Sequence, residues 1–345
     1  MRLVSIIVPC YNEEHTIRLL LEAIFQQTYP RQLMEVVIAD GLSEDQTRAE
    51  IARFQQDHPD LKVTVLQNPK RIIPAGLNCA IGAASGAYLV RMDAHCIPQP
   101  DYIQRCVQAL EENRGDNVGG VWEIQPGGKD RQHPSPSARG IAVAAAHPLG
   151  VGDAQYRFTN RAQEVDTVPF GAFSRQLVDR IGGFDESLLT NEDYEFNVRL
   201  RQSGGRVWLD PAIRSIYLAR DSFPGLIRQY WRYGFWKGCM LRRYPGSLRW
   251  RQAVPPVFVL SLLALGGVSV WFAPIRWLLL VEIFTYLAAL FVVSLQRALQ
   301  QRDWGLLWSV PLAMAAMHFA WGSGLVWSLL RPEGPDRRQS FISTN

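Results

Sequence analysis

Four short clusters in this chain hold residue types that can do chemistry. Asp93-Ala94-His95 follows the apolar run Tyr88 to Met92. A carboxylate and an imidazole flanking one residue can hold a divalent ion while it bridges a diphosphate. Magnesium and manganese favour carboxylate and phosphate oxygens, and manganese tolerates an imidazole. In isolation the same tripeptide is a polar strand end before a turn at Pro98. Asp40-Gly41 ends a second apolar run. Its carboxylate can accept hydrogen bonds from a uracil or a ribose, or it can be a turn aspartate before a glycine. In Thr190-Asn191-Glu192-Asp193-Tyr194-Glu195, Asp193 is placed to act as a general base. A helix N-terminus and a nearby metal would favour its ionised form. Thr190 and Asp193 also have capping-box spacing, which would make the acids structural. Gln229 and Arg232 share a helix face with neighbouring aromatics. They can meet a pyrophosphate or an acceptor sugar, or simply belong to an aromatic-cationic helix at a membrane interface.

These clusters need elements to position them. Hydrophobic periodicity predicts strands at 3–8, 34–39, 62–66 and 87–92, with helices at 15–26, 46–56, 74–85, 101–112 and 192–202. Short strand-helix alternation argues for a parallel sheet with helices on both faces. Ligands of such sheets bind beyond the carboxyl ends of the strands, where Tyr11-Asn12-Glu13, Asp40-Gly41 and Asp93-Ala94-His95 fall. The Gly-, Pro- and Ser-rich stretch 126–152 reads as a long, partly mobile lid or acceptor loop.

The character changes near residue 250. Three apolar runs follow, at 253–275, 276–295 and 306–330, each about the 20 residues that a helix needs to cross a bilayer. The first two read as a hairpin joined at 273–276. Seven cations and no acid lie between Phe223 and Arg251. Beside a membrane segment, that cluster places the N-terminal part in the cytoplasm and argues against nucleic acid as partner. The link 296–305 would then return to the cytoplasm, and a third crossing would leave Arg331, Arg337 and Arg338 on the side the charge rule disfavours. Glu282 and His318 lie inside apolar runs. Glu282 is expected to snorkel and His318 to hydrogen-bond between helices, and Gly266, Gly267, Gly322 and Gly324 permit close helix packing. The five cysteines, with no CxxC, fit a reducing compartment without structural zinc. The run Val4 to Cys10 reads as a buried strand rather than a signal peptide. No P-loop, nucleophile elbow, HExxH or GxGxxG is present.

In order, SIIVPCYNEE at 5–14, VVIADGLSEDQT at 36–47, GLNCAIGAASG at 76–86, VRMDAH at 90–95, PFGAFSR at 169–175, GGFDE at 182–186 and NEDYEFNVRLRQSGG at 191–205 resemble the family 2 glycosyltransferases. HPLGVGDAQYR at 147–157 and the trailing apolar runs are most similar to the succinoglycan-type exopolysaccharide enzymes. The resemblance implies an α/β GT-A fold: a Rossmann-like, mostly parallel central sheet with helices on both faces, followed by C-terminal transmembrane helices. It divides the chain into a cytoplasmic catalytic domain at 1–222, an interfacial segment at 223–250, a membrane region at 253–330 and a tail at 331–345. Pro9, Tyr11, Glu13, Asp40 and Asp93 would line the nucleotide-sugar pocket, with Asp40 at the base or ribose, although Ala39 departs from the family's usual acid. Asp93 and His95 would hold Mn²⁺ or Mg²⁺, with His95 in place of the usual final acid. Asp193 would be the base. Glu192, Gln229, Arg232 and Tyr233 would sit at the acceptor or diphosphate, with Tyr233 where a Trp is usual. The implied reaction is a single inverting displacement from a nucleotide sugar, UDP-linked first, to a polyprenyl-diphosphate-linked saccharide at the inner membrane. A processive polysaccharide synthase and a noncatalytic membrane scaffold are the alternatives.

Overall fold

The computed structural model describes residues 2–128 and 130–331; the tail expected at 332–345 lies outside the described residues. The strands are β1 (Val4–Cys10), β2 (Met34–Asp40), β3 (Lys62–Gln67), β4 (Tyr88–Arg91), β5 (Cys96–Pro98), β6 (Asn117–Gln125), β7 (Gln163–Glu164), β8 (Ala172–Ser174) and β9 (Val207–Leu218). The helices are α1 (Ile17–Phe25), α2 (Thr47–Asp57), α3 (Ile73–Ala83), α4 (Tyr102–Glu111), α5 (Pro136–Ala145), α6 (Pro148–Val151), α7 (Arg175–Ile181), α8 (Glu192–Gln202), α9 (Phe223–Arg243), α10 (Trp250–Val268), α11 (Ala273–Gln301) and α12 (Leu306–Leu330). The described residues form two compact units, one from 2–123 and 158–217, the other from 124–157 and 218–331.

One sheet runs in the order β3-β2-β1-β4-β8-β6-β9-β5, with β7 also on β9. The predicted strands form its parallel part, in which β1 pairs with β2 and β4, and β2 with β3. Every residue of β1, β2 and β4 is buried, as continuous apolar runs require of central parallel strands. Beyond β4 the sheet turns antiparallel, with β8 on β4 and β6 on β8. Periodicity does not announce β6, because Gly119-Gly120 interrupts it. Both glycines are there for closeness. A Cβ on Gly119 would lie 2.7 Å from that of Val168, and one on Gly120 would lie 1.9 Å from the Ile213 carbonyl oxygen on β9.

Two expectations about the second unit are corrected. The stretch 126–152 is not a long loop. Its Ser and Pro mark a helix start: Ser135 caps α5 by accepting from the Ala138 amide at 3.2 Å, and Pro136 occupies the first turn. Its small residues are the packing face, and a Cβ on Gly140 would meet Ser309 of α12 at 2.3 Å. The hairpin joint also moves. Pro274 opens α11 rather than ending α10, so the turn falls at 269–272. The expected return link is helical as far as Gln301, where Arg302 closes α11 in the left-handed region.

Gly120→Ala should lower stability by about 1–3 kcal/mol, since the added methyl meets backbone rather than a flexible side chain. A thermal melt in detergent should show this loss, while Gly82→Ala, whose Cβ points into open space, leaves the midpoint unchanged or raised. Equal midpoints for the two variants would contradict the β6–β9 contact.

Candidate active site

Adjacent parallel strands bring the loops after β1 and β2 together, and side chains lace them. The Asn12 amide donates to Ser43 Oγ at 2.9 Å, and the Glu44 amide to Asn12 Oδ1 at 2.9 Å. The Glu13 amide donates to Thr47 Oγ1 at 2.7 Å. Asp40 is buried beneath this lacing. It accepts from Ser43 Oγ at 2.5 Å and from Arg48 Nε at 2.6 Å. Its carboxylate therefore holds the turn that follows β2. Backbone strain marks the same loops, with Asn12 and Leu42 at φ 52° and 63°, and recurs at Arg71, at Phe170 before β8 and at Asn191 before α8, with φ between 49° and 69°. Pro9 is buried at the end of β1 and Tyr11 is half-buried beyond it, with the Arg71 guanidinium 5.8 Å from the Tyr11 ring.

The acids form a second group, centred on a residue that the motif analysis left without a role. Arg91, at the end of β4, is 6% exposed. Its Nη2 lies 3.0 Å from Asp93 Oδ1 and 3.0 Å from Glu192 Oε1. One guanidinium thus joins the Asp-x-His cluster to the start of α8, two parts of the sequence about a hundred residues apart. The signal was available: a cation inside a buried apolar strand must be paired. Burial alone would lower the Arg91 pKa, but Asp93 and Glu192 outweigh it and hold the group charged.

α8 does not start as the capping-box alternative requires. Asn191 occupies the cap position at φ 69°, without a side-chain cap. The Asp193 carboxylate instead accepts from the Tyr194 amide at 2.7 Å. The helix is pinned by Asn117 donating to Asn197 at 2.7 Å and by Tyr194 donating to Asp166 at 3.0 Å. Asn78 exchanges two hydrogen bonds with the Phe184 backbone, at 2.8 and 2.9 Å, which fixes the GGFDE turn on α3. The electrostatics of Asp193 also differ from expectation. Burial raises its pKa, and Arg91 and the Tyr194 amide only partly oppose that rise. Glu192 is pushed up to about 7 by burial and by Asp193, against Arg91.

His95 lies between the two groups. Its Nδ1 is 2.9 Å from Glu13 Oε1, and its Nε2 is 4.0 Å from Asp93 Oδ2. Thr16 also donates to Glu13. The Asp93 oxygen not held by Arg91 and the His95 nitrogen not held by Glu13 therefore face the same space. Among the described residues no three acids, histidines or cysteines cluster as a metal cage. A carboxylate oxygen and an imidazole nitrogen nonetheless fit an ion that completes its shell with water and phosphate oxygens, as magnesium and manganese do. Gln229, Arg232 and Tyr233 lie on α9 in the other unit, where Gln229 donates to Tyr233 Oη at 2.9 Å.

Comparison with known proteins places this arrangement. The description "Glycosyl transferase family 2" matches residues 5–182, which carry the strand-end clusters but not the α8 cluster at 190–195. The chain belongs to that family. The succinoglycan biosynthesis protein ExoA of Rhizobium meliloti is 30% identical over 331 residues, 94% of this chain and 94% of that one. A dolichyl N-acetyl-alpha-D-glucosaminyl phosphate 3-beta-D-2,3-diacetamido-2,3-dideoxy-beta-D-glucuronosyltransferase of Methanococcus voltae is 26% identical over 96% of this chain and 98% of its own. Among solved structures, the mannosyltransferase PcManGT of Pyrobaculum calidifontis, in complex with GDP-Man and Mn²⁺, superposes with a TM-score of 0.59 at 22% identity, covering 92% of this chain and 87% of that one. The fold is GT-A, and the family's glycosyltransferase activity belongs to this chain.

A carboxyl whose pKa is raised on folding holds its proton more tightly in the folded state. Stability should therefore fall as pH rises from about 4.5 to about 7, the range that Glu192 spans. Glu192→Gln should flatten that part of the pH-stability curve in metal-free buffer. A curve that overlays the parent's would show that Glu192 titrates normally.

Proposed function

We propose that this protein transfers one sugar, with inversion, from a nucleotide-sugar donor to a lipid-linked saccharide at a membrane. The observation that carries this reading is the Arg91 bridge. It ties Asp93, past the end of β4, to Glu192 at the start of α8, where Asp193 follows, and His95 links this group to Glu13 of the laced loops that carry Pro9, Tyr11 and Asp40. The lipid-linked acceptor is supported by the Methanococcus voltae relative, whose name specifies a dolichyl-linked sugar phosphate. A role in surface polysaccharide is supported by the succinoglycan relative. The three long apolar helices agree with both.

Pro9 and Tyr11 line the nucleotide, while Asp40 shapes that pocket through Ser43 and Arg48. Asp193 accepts the proton of the acceptor hydroxyl. The hydroxyl oxygen forms its bond to the anomeric carbon as the bond from that carbon to the diphosphate oxygen breaks, and the nucleoside diphosphate leaves with the electron pair. A raised pKa makes Asp193 a stronger base than a solvated aspartate, and the Arg91 charge limits that rise. Asp93 and His95 would hold a divalent cation, which supplies charge neutralisation at the leaving diphosphate. Glu13 fixes the His95 ring so that Nε2 faces that position, as carboxylates behind metal-binding histidines do.

Asp193→Asn should reduce transfer by roughly 10²–10⁴-fold, the usual worth of general-base assistance, with donor affinity kept. Membranes incubated with labelled UDP- and GDP-sugars and Mn²⁺ or Mg²⁺ test this directly. Label in the lipid extract that disappears in the variant supports the reading; label in an insoluble polymer would indicate a processive synthase. Loss of donor binding together with activity would refute the assignment of Asp193. Glu13→Gln should weaken Mn²⁺ binding roughly 10–100-fold, read by the free-Mn²⁺ electron paramagnetic resonance signal. Unchanged titrations would remove Glu13 from the support of His95.

A further inference from the structure

The three apolar helices do not behave alike. α10 and α11 expose most of their side chains, with Val257, Leu263, Leu280 and Phe284 between 53% and 73% exposed. From Arg251 to Arg276 the chain holds no charge, and from Arg276 to Arg297 it holds only Glu282, which accepts from Ser261 of the neighbouring helix. The snorkelling expected of Glu282 is thus replaced by a hydrogen bond inside the hairpin. Trp271 and Trp277 stand exposed beside Arg276 at the tip, and Trp250 and Trp304 near the base, as aromatic residues do at the two membrane interfaces.

α12 is different at both ends and along both flanks. Its N-terminus follows α11 closely, and the Asp303 amide bonds back to the Ala298 carbonyl at 3.1 Å. Its C-terminus is tied to α9: Arg242 donates to the carbonyl of Ser328 and, at 2.7 Å, to that of Arg331. The chain leaving α9 folds back at once, since Lys237 Nζ donates to the Ser247 carbonyl at 2.9 Å, and then enters α10. A Cβ on Gly322 would lie 2.7 Å from the Pro255 carbonyl oxygen in the first turns of α10. Both ends of α12 therefore lie at the base of the hairpin.

α9 accompanies α12 along its length. The Phe223 and Trp308 rings are 6.3 Å apart, Gly234 meets the Trp321 carbonyl and Gly238 meets Ser328. α9 carries Arg228, Arg232, Lys237, Arg242 and Arg243 and no acid. Any depth that α12 takes, α9 shares. Each cation carried to the bilayer centre costs about 2.5–3.5 kcal/mol even on the most lenient scale. On the other flank, Gly150 meets Met317, and His318 lies 2.7 Å from the Leu149 carbonyl of α6 and 3.0 Å from Tyr286 Oη of α11. What stays partly exposed on α12 is a stripe, Trp308, Leu312, Phe319, Trp327 and Leu330, with Leu329 beside its end; Phe319 on it also packs against Phe258 and Tyr286 of the hairpin.

We infer that only the α10–α11 hairpin crosses the bilayer. α12 is an interfacial helix, packed between α9 and α5–α6, with its partly exposed stripe in the acyl boundary and the exposed Arg228, Arg242 and Arg243 of α9 facing anionic head groups. The dimensions agree. Beyond the Phe258–Tyr286 contact, the 13 residues from Ala273 to Thr285 extend about 20 Å. An interfacial helix sits about 5–10 Å deep, so the tip reaches the far side of a core about 30 Å thick. Arg331 then stays on the same face as the α9 cations, where the charge rule favours it.

Cysteine accessibility tests this in the full-length chain with Cys79→Ser as background, since Cys79 is the exposed cysteine among the described residues. Gly246→Cys, Val270→Cys and a cysteine appended after Asn345 are each treated with a membrane-impermeant maleimide, in sealed vesicles of both orientations. Full labelling in detergent is the control. We expect the first and third to label from one face and Val270→Cys from the other. Labelling of the appended cysteine together with Val270→Cys would show that α12 crosses, and labelling of Val270→Cys together with Gly246→Cys would show that the hairpin does not.

Discussion

The candidate site depends on one buried ion pair network. Arg91 takes a strand position that the rest of the core fills with apolar side chains, and it is tolerable there only because Asp93 and Glu192 meet it at 3.0 Å. Removing either acid would leave a buried charge underpaired, and removing Arg91 would leave two carboxylates facing each other; such losses typically cost about 3–5 kcal/mol. The network therefore couples folding to the site. The strand end that presents Asp93 and the helix start that presents Asp193 are held in register by the same guanidinium.

Around that centre, each local feature supplies a different kind of order. Hydrogen bonds between the loops after β1 and β2 make a rigid floor from segments whose backbone is strained at Asn12 and Leu42. Asn78 and Arg199 tie down the glycine turn that precedes α8, Arg199 reaching the Gly183 carbonyl at 2.6 Å and Glu195 at 2.6 Å. Strain at a site persists when its surroundings over-determine it. Here the surroundings are side-chain hydrogen bonds rather than apolar packing, which suits a cleft that must admit water and phosphate. Burial then does chemical work, because it raises the pKa of both Glu192 and Asp193 while Arg91 limits the rise.

The second unit follows a related logic with a different solvent. Glycines at 140, 150, 234, 238, 322 and 324 let backbones approach closely, and they lie where α5, α6, α9 and α10 meet α12. Gly266 and Gly267, expected to do the same, have nothing within 4 Å and lie in the free part of the hairpin. The same residue type thus marks packing in one helix and no packing in another, and only the neighbours distinguish them.

Much of the parallel half of the sheet, α8 and the acidic clusters were legible from the chain alone. Apolar runs fully buried on both faces carry a strong local signal, and so do acids placed at their ends. The antiparallel half was not legible. β6 holds two glycines and β9 holds Asp210-Pro211, so neither has clean alternation, and their pairing is decided by close backbone approach to strands far away in sequence. The roles of Arg91 and Glu13 were hidden for the same reason. Composition and order determined the family, the apolar helices and which side chains are able to do chemistry, since those follow from residue type and short spacing. Only tertiary structure decided that Asp93 and Glu192 share one cation, that Glu13 holds His95, and that α12 ends where the hairpin begins, because each rests on contacts between segments that local physics leaves independent.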